Sequence, residues 1–172
     1  ILHTHLDKYD IGIGNAYELY SYWLGYGYNG CGTTMALASF CNEDYLSNNI
    51  FTCTDVYDYM LNTAFIDVKK HITEIGYVKY GTAAYNLEHE SVMRSILLPK
   101  EYQVRQKDEN SLNDIFVRMA GDIQRATEHA VLNYVKYALT YNPSNNLCLS
   151  GGTFLNCNIN TLLREKVGVN YI

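Results

Sequence analysis

NLCLSGGTFLNCNINTLLRE, from Asn146 to Glu165, is the stretch whose reading decides the fold. Asn146 to Ser150 holds an apolar run, Leu147, Cys148 and Leu149, of buried-strand length. Gly151 and Gly152 interrupt it, and two residues without Cβ atoms let a backbone turn sharply and come close to a ligand. Thr153 is expected to start a helix, as its N-cap or just inside it. On that helix Thr153, Asn156 and Asn160 share one face, and Leu155, Ile159 and Leu162 lie on roughly the opposite one. The pattern predicts a strand, a glycine turn and a helix with one face for packing and one that offers amides. Backbone N–H groups at a helix start suit a phosphate or another anion. The alternative is an ordinary β–α corner, because a Gly pair is a weak nucleotide signal.

Working outward, Ser111 to Thr140 carries the strongest helical period. Leu112, Ile115, Phe116, Met119, Ile123 and Ala126 recur at steps of three and four, and the stripe runs on to Ala138. Ser111 can cap its start, with Asp114 three residues on, and Asn142-Pro143 stops it. Helix, strand, glycine turn and helix in that order predict an α/β domain in which this long helix packs on a sheet containing Leu147–Leu149.

Nearer the start, Asn15 to Leu24 reads as a helix with a Tyr17, Tyr20, Trp23 stripe. Gly25, Gly27, Gly30 and Gly32 make a flexible loop, GYGYNGCG, and Thr33 to Phe40 returns to an apolar helical run. The loop contains neither G-x-G-x-x-G nor GxxxxGK[ST], so Rossmann and P-loop readings are unsupported. Cys41 to Glu109 is less regular. Val56–Ile75 reads as one or two helices, with Tyr57, Met60, Leu61 and Phe65 on an apolar side. Glu88–Leu98 reads as another helix, ended by Pro99, and Glu101–Asn110 as a charged loop. His71 and His89 stand alone. In ILHTHL, Ile1 to Leu6, the pair His3 and His5 invites a metal reading, but strand alternation is the preferred account and no metal ligand is assigned to this chain.

At 172 residues, 48% hydrophobic and 18% charged, the chain fits one domain or a large part of one, with a sizeable core. A net charge of -5 without a basic run argues against a nucleic-acid partner. The five cysteines show no CxxC spacing and read as free thiols of a reducing compartment, small buried hydrophobes in a cytoplasmic protein. No signal peptide and no apolar stretch of about 18 residues is present, so no membrane partner is expected. Seventeen tyrosines suit either a binding surface or a codon bias. The chain starts at Ile1 and stops within an apparent strand, Val169–Ile172, and on that basis a fragment is expected.

Three segments resemble the O-carbamoyltransferases of nodulation-factor and antibiotic biosynthesis. That family carries A-A-S-V-Q-x-x-x-E on a long helix, then N-L-C-L-A-G-G-V-A-L-N-C-x-x-N. Here Ala120 to Glu128 reads A-G-D-I-Q-x-x-x-E, and Asn146 to Asn160 reads N-L-C-L-S-G-G-T-F-L-N-C-N-I-N. The family's L-Y-S, L-G-F and G-K-V-M-G-L-A-P-Y segments are similar to Leu19–Ser21, Leu24–Tyr26 and Gly32–Phe40. Thr33 stands where the family has Lys, Arg118 where it has Asp, and Gly121 and Asp122 replace other small residues. The match covers the two ends of the chain and leaves about Cys41 to Gln103 unaligned.

The resemblance implies part of an actin, sugar-kinase and heat-shock ATPase-like superfold domain, with the long helix on a mixed sheet. Its parts would be residues 1–40, a variable helical region 41–110, and the helix–strand–glycine–helix unit 111–172. The implied reaction passes a carbamoyl group from carbamoyl adenylate, made from ATP and carbamoyl phosphate in a separate downstream domain, to a hydroxyl of a sugar or natural product. It places Gly151, Gly152 and Thr153 at the adenylate phosphate or ribose, with Asn156 orienting the nucleotide or the helix start. It names no catalytic base. The family's divalent metal, iron or magnesium, would take its ligands from outside this chain. A chain of this length is then expected to be inactive alone. The alternatives are a tRNA threonylcarbamoyl-transfer protein, a sugar kinase, or a degenerate binding module; the L-Y-S and A-A-S-V-Q-like segments count against the first two.

Overall fold

The computed structural model describes residues 13–27, 29–43, 45–55, 58–61, 99 and 101–171. In chain order these form α1 (Ile13–Trp23), α2 (Cys31–Ala38), a single turn α3 (Ser47–Ile50), and an antiparallel hairpin of β1 (Phe51–Asp55) and β2 (Asp58–Leu61). Then come α4 (Asp114–Tyr141), β3 (Asn146–Leu147), a 3-10 turn Gly152–Leu155, α5 (Cys157–Val167) and β4 (Asn170–Tyr171). The expected Ile1–Leu6 strand with His3 and His5, the Glu88–Leu98 helix, His71 and His89 lie outside the described residues.

The long helix forms as its period demands, from Asp114 rather than Ser111. Asn113 holds the N-cap position with no side-chain cap bond, and the Asn110 side chain instead accepts from the Leu112 N–H at 3.1 Å. Asn142 ends the helix as expected, with its N–H on the Ala138 carbonyl. The partner of α4 differs from the expectation. It packs on α1, α2, α3 and α5, and among the described residues no sheet lies under it. The described chain is therefore helix-rich, with two two-stranded ladders.

One core cluster joins α1, α2 and the first half of α4: Leu19, Tyr20, Trp23, Leu37, Phe116 and Met119 are among its members. The Tyr17, Tyr20, Trp23 stripe is buried as its spacing predicts. A second cluster sets Val131 and Val135 of α4 against Ile159 and Leu163 of α5. The charged loop is tied to the end of α1. Arg105 donates from Nε to the Leu24 carbonyl at 2.6 Å and from its backbone N–H to the Trp23 carbonyl at 2.8 Å, covering acceptors that a helix end leaves open.

Residues 58–61 form a strand where a helix over 56–75 was expected; the remainder of that stretch lies outside the described residues. Threonines and aromatics in FTCTD and DYML favour a pleated chain over a helix, and an adjacent partner strand decides the matter. Downstream, β3 is shorter than predicted. It pairs in parallel with β4 only at Asn146↔Asn170 and Leu147↔Tyr171, so Cys148 and Leu149 fall outside the ladder. Asn146 and Cys148 are exposed, and the run is not a strand buried on both faces.

The helix after the glycines also starts later. Residues Gly152–Leu155 wind as a 3-10 turn and α5 begins at Cys157, so Thr153 is not its cap. The change in winding resets the helical phase. Leu155 is 84% exposed, while Ile159 and Leu163, not Leu162, form the fully buried face. Gly168, in the left-handed region at φ 70°, closes α5 behind Arg164 and Lys166, whose charges suit a helix C-terminus.

Candidate functional site

Asn156 is the N-cap of α5. Its Oδ1 accepts from the backbone N–H groups of Asn158 at 3.1 Å and Ile159 at 3.3 Å, as a capping amide should. Its Nδ2 donates to Gln124 Oε1 at 2.8 Å, and Gln124 Nε2 lies 3.2 Å from Asn156 Oδ1 in return. Gln124 Oε1 also accepts from the Tyr17 hydroxyl at 2.7 Å, and Gln124 Nε2 donates to Glu128 Oε1 at 2.6 Å. Three helices thus meet at one amide pair: α1 through Tyr17, α4 through Gln124 and Glu128, α5 through Asn156.

Tyr17 and Gln124 are buried, and Glu128 and Asn156 are half-buried. Burial first, then the Cys31 and Glu128 charges, push the Tyr17 phenol above its ordinary range, and the Asn156 side chain opposes them. Tyr17 therefore stays protonated and serves as a donor. Burial likewise pushes the Cys31 thiol up.

The predicted site residues divide. Gly151 is exposed and sits at φ 98°, a backbone conformation that favours glycine. Gly152 is exposed without a positive φ, and a Cβ built on either glycine would meet nothing within 4 Å. Thr153 is half-buried, its Oγ1 3.2 Å from where a Cβ on Gly14 would lie, so the 3-10 turn rests against the start of α1. Only Asn156 joins the amide network. Asn160 turns its amide back, Nδ2 donating to the Phe154 carbonyl at 2.9 Å. The argument for an anion at the start of α5 therefore changes. That start lies beyond the 3-10 turn, and the Asn156 side chain occupies the N–H groups of Asn158 and Ile159.

Sequence reasoning missed Tyr17, Gln124 and Glu128 as members of a site. The available signal was a buried polar set on α4, since Asp122, Gln124 and Thr127 fall among its apolar positions. Asp122 has a different task. It is fully buried, and its Oδ1 accepts from the N–H groups of Tyr45 at 3.0 Å and Leu46 at 2.9 Å, while Oδ2 accepts from the Tyr102 hydroxyl at 2.6 Å. Gly121 lets Cys41 lie against α4; a Cβ there would fall 2.4 Å from Cys41 Sγ. Arg125 holds the same segment, donating to the carbonyls of Cys41 and Glu43.

A family model described as the carbamoyltransferase N-terminus matches residues 2–170. The chain belongs to the carbamoyltransferase family. A comparison with curated proteins finds no match. Three of the residues that depart from the family pattern have local contacts that account for them. Gly121 and Asp122 accommodate the 41–46 segment, and Arg118 lies over the Tyr45 ring at 5.4 Å and 3.9 Å from Glu43. Thr33 is exposed on α2.

Among the described residues no three His, Cys, Asp or Glu side chains are grouped to hold a metal. None of their helices is long and apolar enough to cross a membrane. Cys31, Cys41, Cys148 and Cys157 are free thiols, and Cys148 and Cys157 are exposed rather than buried.

Proposed function

We propose that the chain is the nucleotide-contacting part of an O-carbamoyltransferase. The donor is carbamoyl adenylate, made from ATP and carbamoyl phosphate in a further domain. The acceptor is a hydroxyl of a sugar or natural product. The hydroxyl oxygen bonds to the carbamoyl carbon, the bond from that carbon to the adenylate phosphate oxygen breaks, and AMP and the hydroxyl proton leave. An enzyme using these substrates belongs in the cytoplasm, with small-molecule partners and no nucleic acid.

Gly151, Gly152 and Thr153 contact the adenylate phosphate or ribose, and Asn156 holds the segment that carries them. The observation behind this reading is an open glycine turn, with no atom within 4 Å of a Cβ on either glycine, braced at Asn156 by the amide of Gln124. The family match supports carbamoyl transfer as the chemistry. Iron or magnesium, when bound, would polarise the carbamoyl group. The described residues supply no ligand set that fits such an ion, so no step here depends on it.

Adenine-nucleotide binding by calorimetry tests the reading. Gly152→Val puts a branched side chain in the open approach, and Asn156→Ala removes the amide. Loss of one hydrogen bond's worth of positioning at a charged ligand, about 1.5–3 kcal/mol, weakens binding roughly ten- to a hundred-fold. If both variants fold by circular dichroism and bind as tightly as the parent, the turn is only a β–α corner.

A further inference from the structure

We propose that Gln124, supported by Tyr17 and Glu128, is a positioning residue for the glycine turn; the proposal rests on the reading that this turn contacts an adenine nucleotide. The argument is directional. Asn156 Oδ1 is committed to two backbone donors, the N–H groups of Asn158 and Ile159. Its Nδ2 must therefore face Gln124, and that orientation requires the Gln124 oxygen to be Oε1, the acceptor it meets at 2.8 Å. With Oε1 fixed, Nε2 points to Glu128, whose Oε1 accepts it at 2.6 Å. Tyr17 adds a donor to the same Oε1 at 2.7 Å. Every hydrogen-bonding direction of the Gln124 amide is occupied, and reversing it would set donor against donor at Asn156 and acceptor against acceptor at Glu128.

The consequence reaches the turn through the chain. Asn156 directly follows the 3-10 turn Gly152–Leu155, and its N–H bonds to the Thr153 carbonyl at 3.2 Å. At the other contact, Thr153 Oγ1 rests against Gly14. Residues 153–156 are thus held at both ends by groups that start from α1. One end is the close approach at Gly14, and the other is the path from Tyr17 through Gln124 to Asn156. A ligand at Gly151–Gly152 meets a segment already ordered, which lowers the ordering cost of binding.

Asn156 has two jobs, capping α5 and pairing with Gln124, and Asn156→Ser separates them. Serine still caps, but it is too short to exchange two hydrogen bonds with Gln124. Gln124→Met keeps the side-chain volume and removes the amide. Nucleotide affinity is measured by calorimetry on the full chain with AMP, which carries the adenylate phosphate and ribose, with circular dichroism and thermal melting alongside. Gln124→Met and Asn156→Ser should each weaken AMP binding about ten-fold, and the double variant should be no weaker than either single one. Tyr17→Phe, which removes one hydroxyl, should weaken it about three-fold and keeps the test open if Gln124→Met fails to fold. A parent that binds AMP, with Gly152→Val weakened but Gln124→Met, Asn156→Ser and Tyr17→Phe all binding as the parent does, overturns this inference and leaves the proposed function standing. Losses that simply add in the double variant also overturn it. A parent that binds no AMP overturns the proposed function and this inference together.

Discussion

Replacing Asp122 with alanine should be among the most destabilising single changes in the described structure. The carboxylate is fully buried in the middle of α4 and receives three donors: the N–H groups of Tyr45 and Leu46 and the Tyr102 hydroxyl. A hydrogen bond to a charged acceptor contributes about 1.5–3 kcal/mol, so three would sum to roughly 5–9 kcal/mol if each donor were left dry. Two effects reduce that figure. Removing the carboxylate also removes its desolvation cost, and Tyr45 is exposed enough for water to reach its N–H. The net expectation is about 3–4 kcal/mol, within the range for breaking a buried hydrogen-bonded charge. For a chain of this length that lowers Tm by about 6–16 °C. Asp122→Asn should cost about half as much, because one oxygen still accepts the two N–H groups while the new NH2 faces the Tyr102 hydroxyl. Thermal and urea unfolding followed by circular dichroism gives the values. A double-mutant cycle with Tyr102→Phe should return a coupling of about 1.5 kcal/mol. If Asp122→Ala lies within about 1 kcal/mol of the parent, or the cycle is additive, the carboxylate does not tie the 45–46 and 102 segments to α4.

Gly121→Ala would place a Cβ 2.4 Å from Cys41 Sγ and 2.6 Å from its Cβ. Overpacking of about 1–3 kcal/mol outweighs the roughly 1 kcal/mol that alanine contributes as the better helix former, so urea unfolding should show net destabilisation, partly recovered by adding Cys41→Gly. Alkaline pH should also unfold the chain. Burial raises Tyr17, Tyr20 and Tyr102 above their ordinary 10.0, so the native state keeps protons that the unfolded chain releases near that pH. The stability they contribute is complete below about pH 10 and declines as the pH rises beyond it. Tm measured from about pH 8 to pH 11 should fall at the upper end, and less steeply in Tyr102→Phe; a flat profile would contradict the burial of these phenols.

Local pattern determined a good deal. The spacing of Phe116, Met119, Ile123 and Ala126 places α4 without reference to any partner, because a helix buries one stripe whatever it packs against. The Tyr17, Tyr20, Trp23 stripe and the Asn142-Pro143 stop were legible for the same reason, and the motifs around Gln124 and Gly151 carried the family. Tertiary structure decided the rest. A stripe does not say whether its cover is a sheet or other helices, and among the described residues the cover of α4 is α1, α2, α3 and α5. Nor does local spacing foresee that residues 152–155 wind more tightly than an α-helix, which turns Leu155 outward and moves the buried face to Ile159 and Leu163. The amide network was the least legible part. Tyr17 and Gln124 stand 107 positions apart, and Gln124 and Asn156 stand 32 apart. Hydrogen bonds between such positions follow no period, and only the packing of three helices gives them their partners.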